Sequence, residues 1–80
     1  MGGRQCYDET VKFSFKDEDG KSAFVSWLQS NHSGQVFEAD LATYEVTLTE
    51  TLGMPLTTLT QITNAAERSG GRRDIVRDGR

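Results

Sequence analysis

Three features of the sequence predict an α+β domain. Two runs, "TVKFSFK" from Thr10 and "TYEVTLT" from Thr43, alternate apolar and polar residues as half-buried strands do. Two other runs repeat apolar residues at spacings of three and four, the signature of helices packed on one side. These runs follow one another as strand, helix, strand, strand, helix, with material for a last strand at the end.

In the first strand Val11, Phe13 and Phe15 face one way and Lys12, Ser14 and Lys16 the other. The acidic triplet Asp17, Glu18, Asp19 follows, and the spacing then turns helical at Phe24, Trp27 and Leu28, with Ala23 and Val25 widening the stripe. Asn31, His32, Ser33 and Gly34 supply the stop. "GQVFEAD" reads as a short second strand and Leu41-Ala42 as the turn after it. The third strand then puts Tyr44, Val46 and Leu48 on the core side, opposite Thr43, Glu45 and Thr47. Gly53-Met54-Pro55 breaks that strand and suits a helix start. Leu56, Leu59, Ile62 and Ala66 form the second apolar stripe, and four threonines between positions 57 and 63 leave its stability to packing. Ser69-Gly70-Gly71 ends the helix, and Ile75-Val76 is the one apolar pair available for a fourth strand.

This order predicts the ferredoxin-like, split β-α-β sandwich: an antiparallel sheet with both helices on one face. The expected division is a flexible N-terminus at 1–9, a single domain at 10–69 and a Gly/Arg-rich tail or short last strand at 70–80.

Eighty residues form one domain, which buries only about 60% of the surface its unfolded chain exposes and leaves little room for a deep pocket. The apolar share of 35% is lean, yet lies above that of disordered chains. No apolar stretch approaches the roughly 20 residues of a membrane span, and "MGGRQCYDET" has no hydrophobic segment of a secretory signal. A soluble, intracellular (cytoplasmic) protein without a membrane partner is expected, and the single cysteine, Cys6, fits a reducing compartment. Gly2 lacks the Ser or Thr at position 6 that myristoylation favours, and the sequon Asn31-His32-Ser33 has no export route to make it useful.

The segment "KDEDGKS" from Lys16 resembles two ligand loops and fails as both. A phosphate loop needs glycine five positions before Gly20, where Phe15 stands, and three carboxylates would repel the phosphate. A calcium loop opening at Asp17 needs glycine at its sixth position and glutamate at its twelfth, where Ser22 and Leu28 stand. What remains is an acidic helix start, with Asp17 as N-cap and Glu18 and Asp19 in the first turn.

No catalytic constellation emerges. Cys6 and His32 lack a third orienting group, carboxylates such as Asp17, Asp19, Glu38 and Asp40 read as solvated loops, and the ligand count excludes zinc. The chain is expected not to be an enzyme and to need no cofactor or metal.

Charge is uneven. Arg72, Arg73, Arg77 and Arg80 against Asp74 and Asp78 give the last nine residues +2, so residues 1–71 carry −5 of the total −3. An acidic body points to protein-protein interaction, through Asp17, Glu18, Asp19, Glu38 and Asp40 or through a sheet edge that also offers homodimerisation. Regulatory proteins of this kind include the small acidic inhibitors carried by phages and other mobile elements. One alternative is nucleic-acid binding through Arg72, Arg73, Arg77 and Arg80, although the exposed sheet face lacks aromatics for base stacking. Another is a dimeric regulatory domain that binds a small ligand.

Overall fold

The computed structural model describes residues 5–74. Its elements are β1 (Thr10–Phe15), α1 (Glu18–Asn31), β2 (Phe37–Ala39), β3 (Glu45–Thr49), α2 (Leu56–Arg68) and β4 (Gly71–Asp74). The strands form one antiparallel sheet in the order β2-β3-β1-β4. β3 lies between β1 and β2, so the α1 connection crosses over it, and β1 lies between β3 and β4 beneath the α2 connection.

Alternation along the strands builds the core. Val11, Phe13 and Phe15 of β1 and Val46 and Leu48 of β3 are buried against Phe24 and Leu28 of α1 and Leu59, Ile62, Ala65 and Ala66 of α2. Phe24 is central: its ring centroid lies 5.2 Å from those of both Phe13 and Phe15 and 6.4 Å from that of Trp27. These are the separations at which aromatic pairs add to simple area burial. The other face of the sheet carries Lys12 and Ser14, Glu45 and Thr47, Glu38, and Arg72 and Asp74, by the register of the ladders.

Two glycines make the packing possible. A Cβ on Gly20, in the first turn of α1, would collide with the carbonyl oxygen of Ser69, so its absence lets the start of one helix meet the end of the other. A Cβ on Gly71 would lie 2.5 Å from the Phe15 ring and 2.8 Å from the Ser14 carbonyl oxygen, so β4 can pair with β1 only if Gly71 stays bare. The fourth strand therefore forms on Gly71–Asp74, ahead of the apolar pair Ile75-Val76, which lies outside the described residues.

Several expectations need correction. Tyr44 is not a core residue: β3 begins at Glu45, and Tyr44 lies in the bend just before it, its carbonyl still accepting the Phe15 N–H at 2.8 Å but its side chain half exposed. Ala23 is exposed, and its expected place on the buried face of α1 is taken by Lys21. Cys6 is buried in the core rather than loose. Its N–H donates to the Met54 carbonyl at 2.7 Å and its carbonyl accepts from Gly53 N–H at 2.8 Å. The Thr51 hydroxyl completes the clip by donating to the Asp8 carbonyl at 2.6 Å. A free cysteine behaves as a small hydrophobe, and this pairing carries it inward.

Candidate protein-binding site

The start of α1 forms as an acidic cap. Asp17 has extended backbone and its carboxylate accepts the Gly20 N–H at 2.9 Å, satisfying an amide that the helix cannot. Glu18 and Asp19 place negative charge at the positive end of the helix dipole. The Glu18 carboxylate accepts the Ser22 hydroxyl at 3.2 Å one turn on.

Lys21 joins this cap to the loop between β2 and β3. It occupies a position on the same helix face as Phe24 and Leu28, three and seven residues before them, and is only 3% exposed. Its ammonium donates to the carbonyl oxygens of Asp40 and Thr43, the latter at 3.0 Å, and the Glu18 carboxylate lies 3.8 Å away. Burying an ammonium is expensive unless it is hydrogen-bonded, and these carbonyls meet that need. Within the loop, the Asp40 carboxylate accepts the Ala42 N–H at 2.8 Å, a tight Asx turn.

The five acidic candidates therefore divide. Asp17 and Asp40 hold local turns, and Glu18 engages Lys21 and Ser22. Asp19 and Glu38 are exposed and have no hydrogen bond or ion pair among the described residues. Lys21 draws the segment at 17–19 and the loop at 40–43 onto one end of the molecule. Glu38 lies on the open sheet face, and Lys12, Glu38, Asp40, Glu45 and Thr47 border a hollow of about 280 Å³ there. On the helix side a groove of about 240 Å³ runs between α1 and β2, bordered by Glu18, Lys21, Ser22, Val25, Ser26, Ala39 and Leu41. Leu41 is 97% exposed, a large apolar side chain with nothing over it.

The arginines separate. Arg72 stands opposite Ser14 on the open face, exposed and 3.8 Å from Asp74, whose carboxylate also accepts the Ser14 hydroxyl at 2.6 Å. Arg73 stands opposite Phe13 and turns to the helix side, where its guanidinium lies 4.0 Å from Asp8. The two side chains leave β4 on opposite faces, and each is near a carboxylate. Arg77 and Arg80 lie outside the described residues. On the open face Lys12 pairs with Glu45 at 3.6 Å, and no aromatic stands on that face of the four strands.

Among the described residues no group of three His, Cys, Asp or Glu side chains could hold a metal ion, and no helix is long and apolar enough to cross a membrane. His32 caps α1, its N–H donating to the Leu28 carbonyl at 2.7 Å, and its ring lies 5.2 Å from that of Trp27. The chain matches no protein-family model, no curated protein and no solved structure.

Sequence reasoning missed Lys21 and Leu41. Lys21 was visible as a cation on the apolar spacing of positions 21, 24 and 28. Leu41 reads only as a turn residue, and nothing in the sequence marks it as the border of a groove.

Proposed function

We propose that this chain is a small protein-binding, regulatory module of ferredoxin-like architecture, acting by protein-protein interaction, as an inhibitor does, rather than by catalysis. The split β-α-β assignment is supported by the strand order, in which the β1-α1-β2 crossover leaves room for β3. The binding reading is supported chiefly by Lys21: its buried ammonium fixes the acidic start of α1 against the β2–β3 loop, so the negative charge is presented on a shaped surface. A partner with a basic face gains electrostatic steering from such a surface.

The test uses Asp19→Lys and Glu38→Lys together, because neither carboxylate makes a hydrogen bond or ion pair among the described residues, and the cost to the fold is confined to the dipole contribution of Asp19. Partners captured from the native host by the wild-type chain are expected to be lost by the double variant, which stays folded with a melting temperature lowered by no more than the loss of the Asp19 dipole contribution accounts for. Equal capture by the two proteins sinks the acidic-surface reading.

A further inference from the structure

We propose that the groove between α1 and β2 takes an extended segment of a partner protein by strand addition, with an apolar side chain in the groove and a lysine or arginine opposite Glu38. This rests on the protein-binding reading above and specifies its partner.

The backbone of β2 sets the geometry. Thr49 N–H donates to the Val36 carbonyl at 3.0 Å and Asp40 N–H to the Glu45 carbonyl at 3.2 Å, while Glu38 stands opposite Thr47 midway between these bonds. In an antiparallel ladder alternate residues face the partner strand, so Val36, Glu38 and Asp40 bond toward β3. The N–H and C=O groups of Phe37 and Ala39 therefore point away from the sheet, and they have no hydrogen-bond partner among the described residues. Such an unpaired edge is a template for another strand.

Side chains on the two sides of this edge define what fits. Residues of an added strand opposite Phe37 and Ala39 point to the helix side, where Val25, Ala39 and the uncovered Leu41 give an apolar floor bordered by the Glu18–Lys21 pair, so this side takes an apolar side chain and the charge selection falls to Glu38. The residue opposite Glu38 points to the open face, beside a carboxylate with no ion pair among the described residues. Ala39 borders both hollows, so the edge runs between them. A segment alternating apolar and basic residues matches both sides.

A second copy of this chain does not. Antiparallel self-pairing through the outward groups of Phe37 and Ala39 sets Glu38 against the other Glu38 in the close, non-hydrogen-bonded position, where like charges directly opposite are destabilising.

The probe is a short capped peptide alternating lysine with valine, compared with one alternating glutamate with valine, by fluorescence anisotropy and by amide NMR of the full chain. The lysine peptide is expected to bind, to shift and protect the Phe37 and Ala39 amides, and to weaken about tenfold or more with Glu38→Lys, while the glutamate peptide does not bind the wild type. Ala39→Pro removes an outward N–H without touching the β2–β3 ladder, a place where edge strands tolerate proline, and is expected to abolish binding. If that variant misfolds, the amide shifts of the wild type carry the result. No binding of the lysine peptide at millimolar concentration overturns the proposal, as do amide shifts that leave Phe37 and Ala39 untouched. Binding that survives Ala39→Pro but is lost in Glu38→Lys overturns strand addition and leaves the acidic-surface reading standing. Binding lost in Ala39→Pro but indifferent to Glu38→Lys and Asp19→Lys overturns both the basic-partner assignment and the acidic-surface reading.

Discussion

Replacing Lys21 by methionine isolates the contribution of its ammonium. Methionine keeps an unbranched stem, so the packing beside Phe24 and Leu28 is largely preserved. What disappears is the pair of hydrogen bonds to the Asp40 and Thr43 carbonyls. Hydrogen bonds to a charged group contribute about 1.5 to 3 kcal/mol each, and a carbonyl left without a partner costs about 1 to 3 kcal/mol when buried. Against this, the variant no longer desolvates an ammonium, and the loop at 40–44 is exposed enough to let water reach part of what is freed. The ion pair with Glu18 adds little, because that carboxylate is 61% exposed. The net loss is about 2 kcal/mol, which for a domain of this size lowers the melting temperature by about 8 to 16 °C. Urea unfolding gives the stability, and amide exchange gives the location: the Asp40 and Ala42 amides, which donate to Glu45 and to the Asp40 side chain, should lose protection first. A change below about 0.5 kcal/mol, with exchange in the loop unaltered, would refute the idea that Lys21 pins the two acidic segments.

Gly20→Ala separates local propensity from packing: propensity alone gives a gain of about 1 kcal/mol, whereas the collision with the Ser69 carbonyl predicts a loss of about 1 to 3 kcal/mol in urea unfolding. Asp17→Ala should cost about 0.5 to 2 kcal/mol through the lost cap, while Asp19→Ala, at an exposed position without a hydrogen bond, should stay within about 0.5 kcal/mol. Cys6 should react with a thiol reagent only on the timescale of opening or unfolding, since it is 3% exposed; immediate reaction in the native protein would contradict the clip between residues 5–9 and the 51–54 turn. Glu50 has φ 58°, so Glu50→Gly relieves left-handed backbone strain and should be neutral or stabilising by up to about 1 kcal/mol, where glycine at an ordinary strand end would weaken the chain.

The elements that alternation or helical spacing marks strongly were legible. Val11, Phe13 and Phe15, then Val46 and Leu48, declared one buried face each, and Phe24, Leu28, Leu59 and Ile62 declared the stripes that cover it. The Asp17 cap was legible because capping is local chemistry. Alternation in "TYEVTLT" puts Tyr44 on the core side, but Tyr44 sits at the very end of the β1–β3 ladder, in the bend before β3, and its side chain stays half exposed, which alternation alone does not mark. β4 falls within the 70–80 span read as a tail or short last strand, but that it starts at Gly71 rests on a glycine fitted under the Phe15 ring, a requirement set by a residue far away in sequence. Cys6 was misread for the same reason, its burial depending on backbone pairing with a turn some 47 residues on. In the candidate site the acidic residues were visible, but which were occupied and which free was not, since that depends on the Asx turn at Asp40 and on the reach of the Lys21 side chain.

The central claim, that a fixed acidic surface recruits a basic partner segment, is tested most directly by the ionic-strength dependence of association. The lysine-valine peptide serves as the partner, and the rate is measured by stopped-flow fluorescence for the wild type and for the chain carrying Asp19→Lys and Glu38→Lys. The wild-type rate should fall steeply as salt rises, and the double variant should be slow at low salt with little further dependence. Equal rates with equal salt dependence for the two proteins would contradict the account.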